Sequence, residues 1–119
     1  MKIELLIEEY KKQAKICSEI DYSNKMSVKK NNRAVKRMYQ IVESISLKNN
    51  SNEKLRFYQL LDFEENKTKI WAAVQILEKL EVDSKTEKKA LNIIECAAKG
   101  EDGNSLGFKY WLKNYKSKL

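Results

Sequence analysis

The side chains of this sequence best placed to act on another molecule are cations. Between Tyr22 and Val42 lie Lys25, Lys29, Lys30, Arg33, Lys36 and Arg37, with no Asp or Glu among them. Such a run attracts anions: the phosphates of nucleic acid, an anionic lipid surface, or the carboxylates of an acidic protein. It also reads as a solvated helix face. Residues 1–60 carry 13 Lys or Arg against 7 Asp or Glu, and residues 61–119 carry 11 against 10, so most of the formal charge of +7 belongs to the first half. Proteins that hold single-stranded nucleic acid stack its bases on aromatic side chains set between the cations. Here Tyr22 and Tyr39 only flank the run. That favours a protein partner with an acidic patch, met by Lys29, Arg33, Lys36 and Arg37. Nucleic-acid binding by the Lys25–Arg37 strip is the alternative, and it is expected to be weak, non-specific and steeply salt dependent.

Bond-making chemistry has few candidates. Histidine is absent, and Cys17 and Cys96 lie far apart. This removes His-based triads and nearly every zinc, copper or iron site. The two cysteines read as small buried apolar residues, free thiols in a reducing cytosol. No glycine-rich phosphate cradle is present. The carboxylate pairs Glu8/Glu9, Glu64/Glu65 and Glu101/Asp102 are adjacent and fall in surface or loop contexts. A general acid and a general base need two environments that split their pKa values. No catalytic residue, cofactor or metal is therefore expected, and the chain reads as non-enzymatic. Met1 is followed at once by charged residues, so neither a targeting segment nor a membrane span is expected, and the location is cytoplasmic.

Positioning these residues calls for helices. The 119 residues contain no proline and three glycines. Turns between strands lean on those two residues, so the expectation is one all-α domain over 1–119 with roughly six helices. The organising segment is Lys67–Leu80. In it Ile70, Trp71, Ala72, Ala73, Val74, Ile76 and Leu77 crowd together, with only Gln75 polar among them. A helix apolar all round must be covered on more than one side. Ile70, Ala73, Val74 and Leu77 are expected among its most buried residues, and Trp71 and Trp111 as core aromatics.

Around it, Ile3, Leu6, Ile7, Tyr10, Ala14 and Cys17 mark a helix over residues 2–19. Cap candidates in Asp21–Asn24 precede a long helix to about Ser46; its first turns over Asn24–Asn32 carry little apolar surface, which leaves a start near Lys30 as the alternative, and its stripe is Ala34, Val35, Met38, Ile41, Val42 and Ile45. Leu47–Asn52 reads as a loop, then a helix resumes over Glu53–Asp62 with Leu55, Tyr58 and Leu61 on one side. Asn66 is the expected cap of the central helix. Ser84 and Glu87 match a capping box, ahead of a helix burying Ala90, Leu91, Ile94, Ala97 and Ala98. Gly100 would end it in a left-handed conformation. After a turn over Glu101–Ser105, the last helix carries Leu106, Phe108, Tyr110, Trp111, Leu112 and Tyr115, and its end frays over Lys116–Leu119. A short echo links Lys69-Ile70-Trp71 to Lys109-Tyr110-Trp111.

Leu60-Leu61, a short polar gap, then Lys69-Ile70-Trp71-Ala72-Ala73 and Leu77 resemble a HEAT-type helix pair. Lys69 stands where such repeats usually carry arginine, and Asn66 where they often carry aspartate, a departure that bears on the side-chain ladder those two form. The order of segments is similar to a family of small bacterial proteins known as domain of unknown function twenty-nineteen. The residues that agree are Ile7-Glu8-Glu9-Tyr10, the long second helix, the Trp71-Ala72-Ala73 helix and the closing Gly107–Trp111. The resemblance implies a short right-handed superhelix of HEAT-like helix pairs. It also implies an immunity protein that binds and neutralises a cognate bacterial toxin, with no catalytic residues of its own.

Overall fold

Apolar residues spaced three and four apart dictate helices, and helices form. The computed structural model describes residues 2–48, 50–100 and 105–117. Their helices are α1 (Ile3–Ser18), α2 (Lys25–Lys48), α3 (Ser51–Tyr58), α4 (Thr68–Lys79), α5 (Ser84–Ala98) and α6 (Ser105–Ser117). A 3-10 turn at Gln59–Asp62 extends α3, and another at Glu65–Lys67 leads into α4. The described chain is all-α, as its composition predicts. Of the turn expected over Glu101–Ser105, Ser105 opens α6 instead; residues 101–104 with the pair Glu101/Asp102, the side chain of Leu106 and the last two residues lie outside the described residues.

Each amphipathic stripe turns inward. Helix α1 buries Ile3, Leu6, Tyr10, Ala14 and Cys17, and α2 buries Ala34, Met38, Ile41, Val42 and Ile45. Helices α1 and α2 pack along each other, as do α4 with α5 and α5 with α6, while α4 also touches α1, α2 and the turn after α3. The central helix is thus covered on several sides, as its composition requires.

The face that α4 buries differs from the expected one. Thr68, Ala72, Ala73, Gln75 and Ile76 are buried. Ile70, Val74 and Leu77 are only partly buried, and so is Trp71. Of the four residues expected deepest, Ala73 alone is. A helix apolar on every side carries no periodic signal to choose its inner face, so a tertiary contact decides. Tyr10 of α1 is fully buried and donates its hydroxyl to Gln75 Oε1 at 2.9 Å. The Tyr10 ring meets Phe57 of α3 edge to face, with centroids 5.0 Å apart. Loss of hydration holds the Tyr10 phenol well above its ordinary pKa of 10.0, so it stays a donor. Gln75 turns inward to receive it, and the helix follows. Gln75 Nε2 has no hydrogen-bond partner among the described residues.

The helix ends show further departures. Asn66 does not cap α4. Asn66 and Lys67 both take left-handed backbone conformations, with φ of 56° and 59°, a region Asn tolerates better than most residues. The turn is closed instead by Thr68, whose buried hydroxyl donates to the Glu65 carbonyl at 2.7 Å. Lys69 pairs with Glu64 at 3.1 Å rather than laddering with Asn66. The cap of α5 is Asp83, one residue before the expected Ser84, accepting from the Thr86 amide at 2.7 Å. No described glycine has a positive φ, so Gly100 does not end α5 left-handed. Helix α2 runs on to Lys48, two residues past its expected end, and α3 starts at Ser51, shrinking the loop. Leu55 is 59% exposed, while Leu61 is buried as expected and Phe57 and Leu60 join it in the core. Both cysteines are free thiols, Cys17 buried but Cys96 exposed.

Two stability outcomes follow from the α4 geometry. Tyr10→Phe strands the Gln75 amide and Gln75→Met strands the Tyr10 hydroxyl, so each alone should cost about 1–3 kcal/mol, while the double variant should recover most of the loss. Urea melts of the four proteins measure this; additive losses would exclude the pairing. By the same method Ile76→Ala should cost about 2–5 kcal/mol, and Leu77→Ala about half that or less because its side chain keeps part of its solvent contact.

Candidate functional site

The basic strip becomes a surface because α2 is helical from its first cation onward. Asn24 caps it, its side-chain oxygen accepting from the amides of Met26 at 2.9 Å and Ser27 at 3.3 Å. Asp21 braces the turn before it, accepting from the amide and hydroxyl of Ser23 at 3.0 and 2.6 Å. Those bonds hold the Asp21 carboxyl below its ordinary pKa. The Asp21 amide in turn donates to the Ser27 hydroxyl at 2.8 Å. With these caps the helix begins at Lys25, not near Lys30.

At 100° per residue, Lys25, Lys29, Arg33 and Lys36 share one stripe, with about 16 Å of helix from first to last. All four are exposed, and Lys30 stands exposed beside them. None of these five forms an ion pair with a described residue. Some cations elsewhere do: Lys11 with Glu8, Arg56 with Glu4, Lys69 with Glu64, Lys79 with Glu43, Lys89 with Asp62 and Lys116 with Glu95.

Arg37 is set apart from Lys29, Arg33 and Lys36, the residues expected to act with it. Its guanidinium grips Glu9 of α1 with two parallel bonds, Nε to Oε1 at 2.6 Å and Nη2 to Oε2 at 2.9 Å. It reaches Gln40 at 3.4 Å as well. The hydrogen bonds from Arg37 hold the Glu9 carboxyl below its ordinary pKa, and Glu9 raises that of Arg37. Arg37 is therefore a tie between α1 and α2. Sequence reasoning missed Glu9 as its partner, although a signal exists. Glu9 immediately precedes buried Tyr10, and Arg37 immediately precedes buried Met38, so both flank the seam between the helices.

Beside this tie an open groove of about 920 Å³ runs between α1 and α2. Ile16 and Ala34 line it, Met26 is 65% exposed at its edge, Lys30 and Arg33 form the α2 side, and Glu19 stands on the α1 side.

A second, smaller pocket of about 260 Å³ lies between α4 and α6, lined by Ile70, Trp71, Val74, Gly107, Phe108 and Trp111. The two halves of the Lys-x-Trp echo meet here, because both tryptophans line the same space. Both are half-buried and pack against the core, as expected of core aromatics. Trp111 donates its indole N–H to Glu78 at 2.9 Å and stacks on Tyr115 with centroids 5.1 Å apart. Tyr39 of α2 donates to the other Glu78 oxygen at 3.0 Å. Burial, then the Glu78 charge and its hydrogen bond, push the Tyr39 phenol up to about 12.

The other reactive groups are occupied or quiet. Glu8 and Glu9 face separate cations, Lys11 and Arg37, and Glu64 faces Lys69. Burial pushes the Cys17 thiol up to about 11, leaving it protonated and poorly nucleophilic at neutral pH. No group of three or more His, Cys, Asp or Glu that could hold a metal ion occurs among the described residues. No helix among them is long and apolar enough to cross a membrane. No family model, curated protein or solved structure matches the chain.

The Glu9–Arg37 tie has a pH signature. Glu9 is more acidic folded than unfolded, so its contribution is full above the ordinary value of 4.5 and is lost as the pH falls through its lower folded value. Glu9→Gln should therefore destabilise at pH 7, by no more than about 1 kcal/mol for a pair this open to solvent. The difference from wild type should vanish in acid. Thermal melts across pH 2 to 7 test it, and a gap that widens in acid would contradict the assignment.

Proposed function

We propose that this chain is a non-enzymatic protein-binding module of the bacterial cytoplasm, an immunity-type protein that neutralises one cognate toxin by occlusion. The observation that carries the reading is the column Lys25, Lys29, Arg33 and Lys36. It is exposed and without ion-pair partners among the described residues, and it gathers four such cations on one side of a single helix. A rigid set of packed helices offers such a surface at low ordering cost. Unpaired cations speed the capture of an acidic partner through long-range attraction. The likeness to HEAT-type helix pairs supports the reading, as does the packing of sequential helices on one another. At +7 the chain does not imitate a nucleic acid. The toxin then is not a nuclease, or acidic residues of this chain act locally on it, or it is bound away from its active site. Nucleic-acid binding by the same strip fits less well, since Glu9 occupies Arg37 and Glu19 stands across the groove from the cations.

The test is co-expression with the toxin encoded beside this protein. Growth should be rescued, and an equimolar complex should survive gel filtration. The triple variant Lys29→Glu, Arg33→Glu, Lys36→Glu should slow association on the order of ten-fold or more, with a smaller change in dissociation. Cell death despite soluble, folded protein would overturn the proposal, and so would tight, sequence-selective nucleic-acid binding at physiological salt.

A further inference from the structure

We infer that the pocket between α4 and α6 binds a free, uncharged, planar aromatic molecule of one or two rings. The inference stands apart from the protein-binding reading above and uses none of its residues.

Three aromatic walls around one space are the first ground. Trp71 of α4 and Phe108 and Trp111 of α6 border the same pocket. Among the described residues the ring pairs in contact are Tyr10 with Phe57 and Trp111 with Tyr115. The rings of Trp71, Phe108 and Trp111 therefore share a space without stacking on one another. Aromatic rings attract each other beyond simple burial when they meet offset or edge-on. A flat ring in this pocket is offered three such partners. A saturated ring of the same size gains burial alone.

Polarity is the second. Ile70, Val74 and Gly107 complete the lining, so no described charged residue takes part in it. Trp111 gives its indole N–H to Glu78 at 2.9 Å. A water molecule needs about two to four polar partners and finds few here, so an apolar guest displaces it with gain. An ionised guest lacks partners in the same way. A cation is disfavoured twice. Helix α6 carries Lys109, Lys113 and Lys116 and no acid, and Glu78, the sole acid of α4, already accepts from Trp111 and Tyr39. The indole N–H of Trp71 has no partner among the described residues, so the guest can carry one accepting group such as a hydroxyl.

Size and access are the third. An apolar cavity of about 150 Å³ holds one benzene, so a pocket of about 260 Å³ takes a substituted ring or two fused rings. Trp71, Phe108 and Trp111 are each partly buried, packed in place yet reachable from water. A Cβ at Gly107 would meet no atom within 4 Å, so that wall stays open because the residue there is glycine.

The experiment titrates the isotope-labelled full chain at neutral pH and follows the indole N–H resonances of Trp71 and Trp111. The probes are phenol, cyclohexanol of matching size, tetramethylammonium, and N-acetylphenylalanine amide, which carries the ring on a peptide backbone. Phenol should shift both resonances saturably, and cyclohexanol should bind at least about five-fold more weakly. Tetramethylammonium should give no saturable shift. The capped phenylalanine should bind no more tightly than phenol, since its peptide groups stay outside in water. Gly107→Leu extends into the open wall with a better helix former; it should abolish the phenol shift without lowering the melting temperature. Trp71→Leu keeps the wall apolar but removes one ring, and should weaken phenol several-fold, read on Trp111, with cyclohexanol little changed. Equal affinity for phenol and cyclohexanol would show that apolar burial alone is read and would overturn the inference. A saturable ammonium shift, no phenol shift, or a phenol shift that persists in folded Gly107→Leu would overturn it too. Tighter binding of the capped phenylalanine would assign the pocket to a side chain of a partner protein and remove the free ligand.

Discussion

The hydrogen bond from Tyr10 to Gln75 sits where α1, α3 and α4 converge, and the geometry of the molecule depends on it. Both side chains are fully shielded from water. A buried amide that lost its partner would carry the full expense of desolvation, so α4 can rotate little without stranding one end of the pair. Phe57, edge-on to Tyr10, fixes the third helix against the same ring. One residue before Tyr10, Glu9 emerges at the rim and meets Arg37, so the buried contact also sets how α1 lies against α2. The shape of the groove is thus a downstream result of a bond in the core.

The start of α2 sets its own charges against the helix dipole. Its first turn contains no acid, although the partial positive charge at a helix N-terminus favours carboxylates there and is worsened by cations. Lys25, Lys29 and Lys30 load that end with like charge. The Asn24 cap and the Asp21–Ser23–Ser27 bonds offset the strain from outside the helix.

Much of this was legible in the sequence, and the failures share a cause. The stripes of α1 and α2 were readable because polar and apolar residues segregate at helical spacing, and Ala14, Met38 and Ile41 fall where the spacing puts them. In α4 the same method had nothing to work with. Gln75, the residue that looks most like a surface position, is the one drawn inside, because its partner lies 65 positions away on another helix. Asn66 was recognisable as a residue of special use, but its use is backbone tolerance of positive φ rather than capping. In the basic strip the cations were plain to see, while the withdrawal of Arg37 from it was not, since an ion pair across two helices leaves no trace in local spacing. Cys96 and Leu55 are apolar by type yet face outward, a choice that only the assembled helices make.

The meeting of Trp71 and Trp111 has a spectroscopic consequence. The chain's two tryptophans border one pocket between α4 and α6, so its tryptophan emission reports on that corner and not on the α1–α2 groove. The indole of Trp111 nevertheless shares the Glu78 carboxylate with Tyr39 of α2. A displacement of α2 that disturbs Tyr39 alters the polarity felt by that indole. The protein thus contains a built-in optical lever: a colour change at its carboxyl-terminal end, on adding a molecule that touches only α1 and α2, would mark motion carried across the whole bundle through a single shared carboxylate.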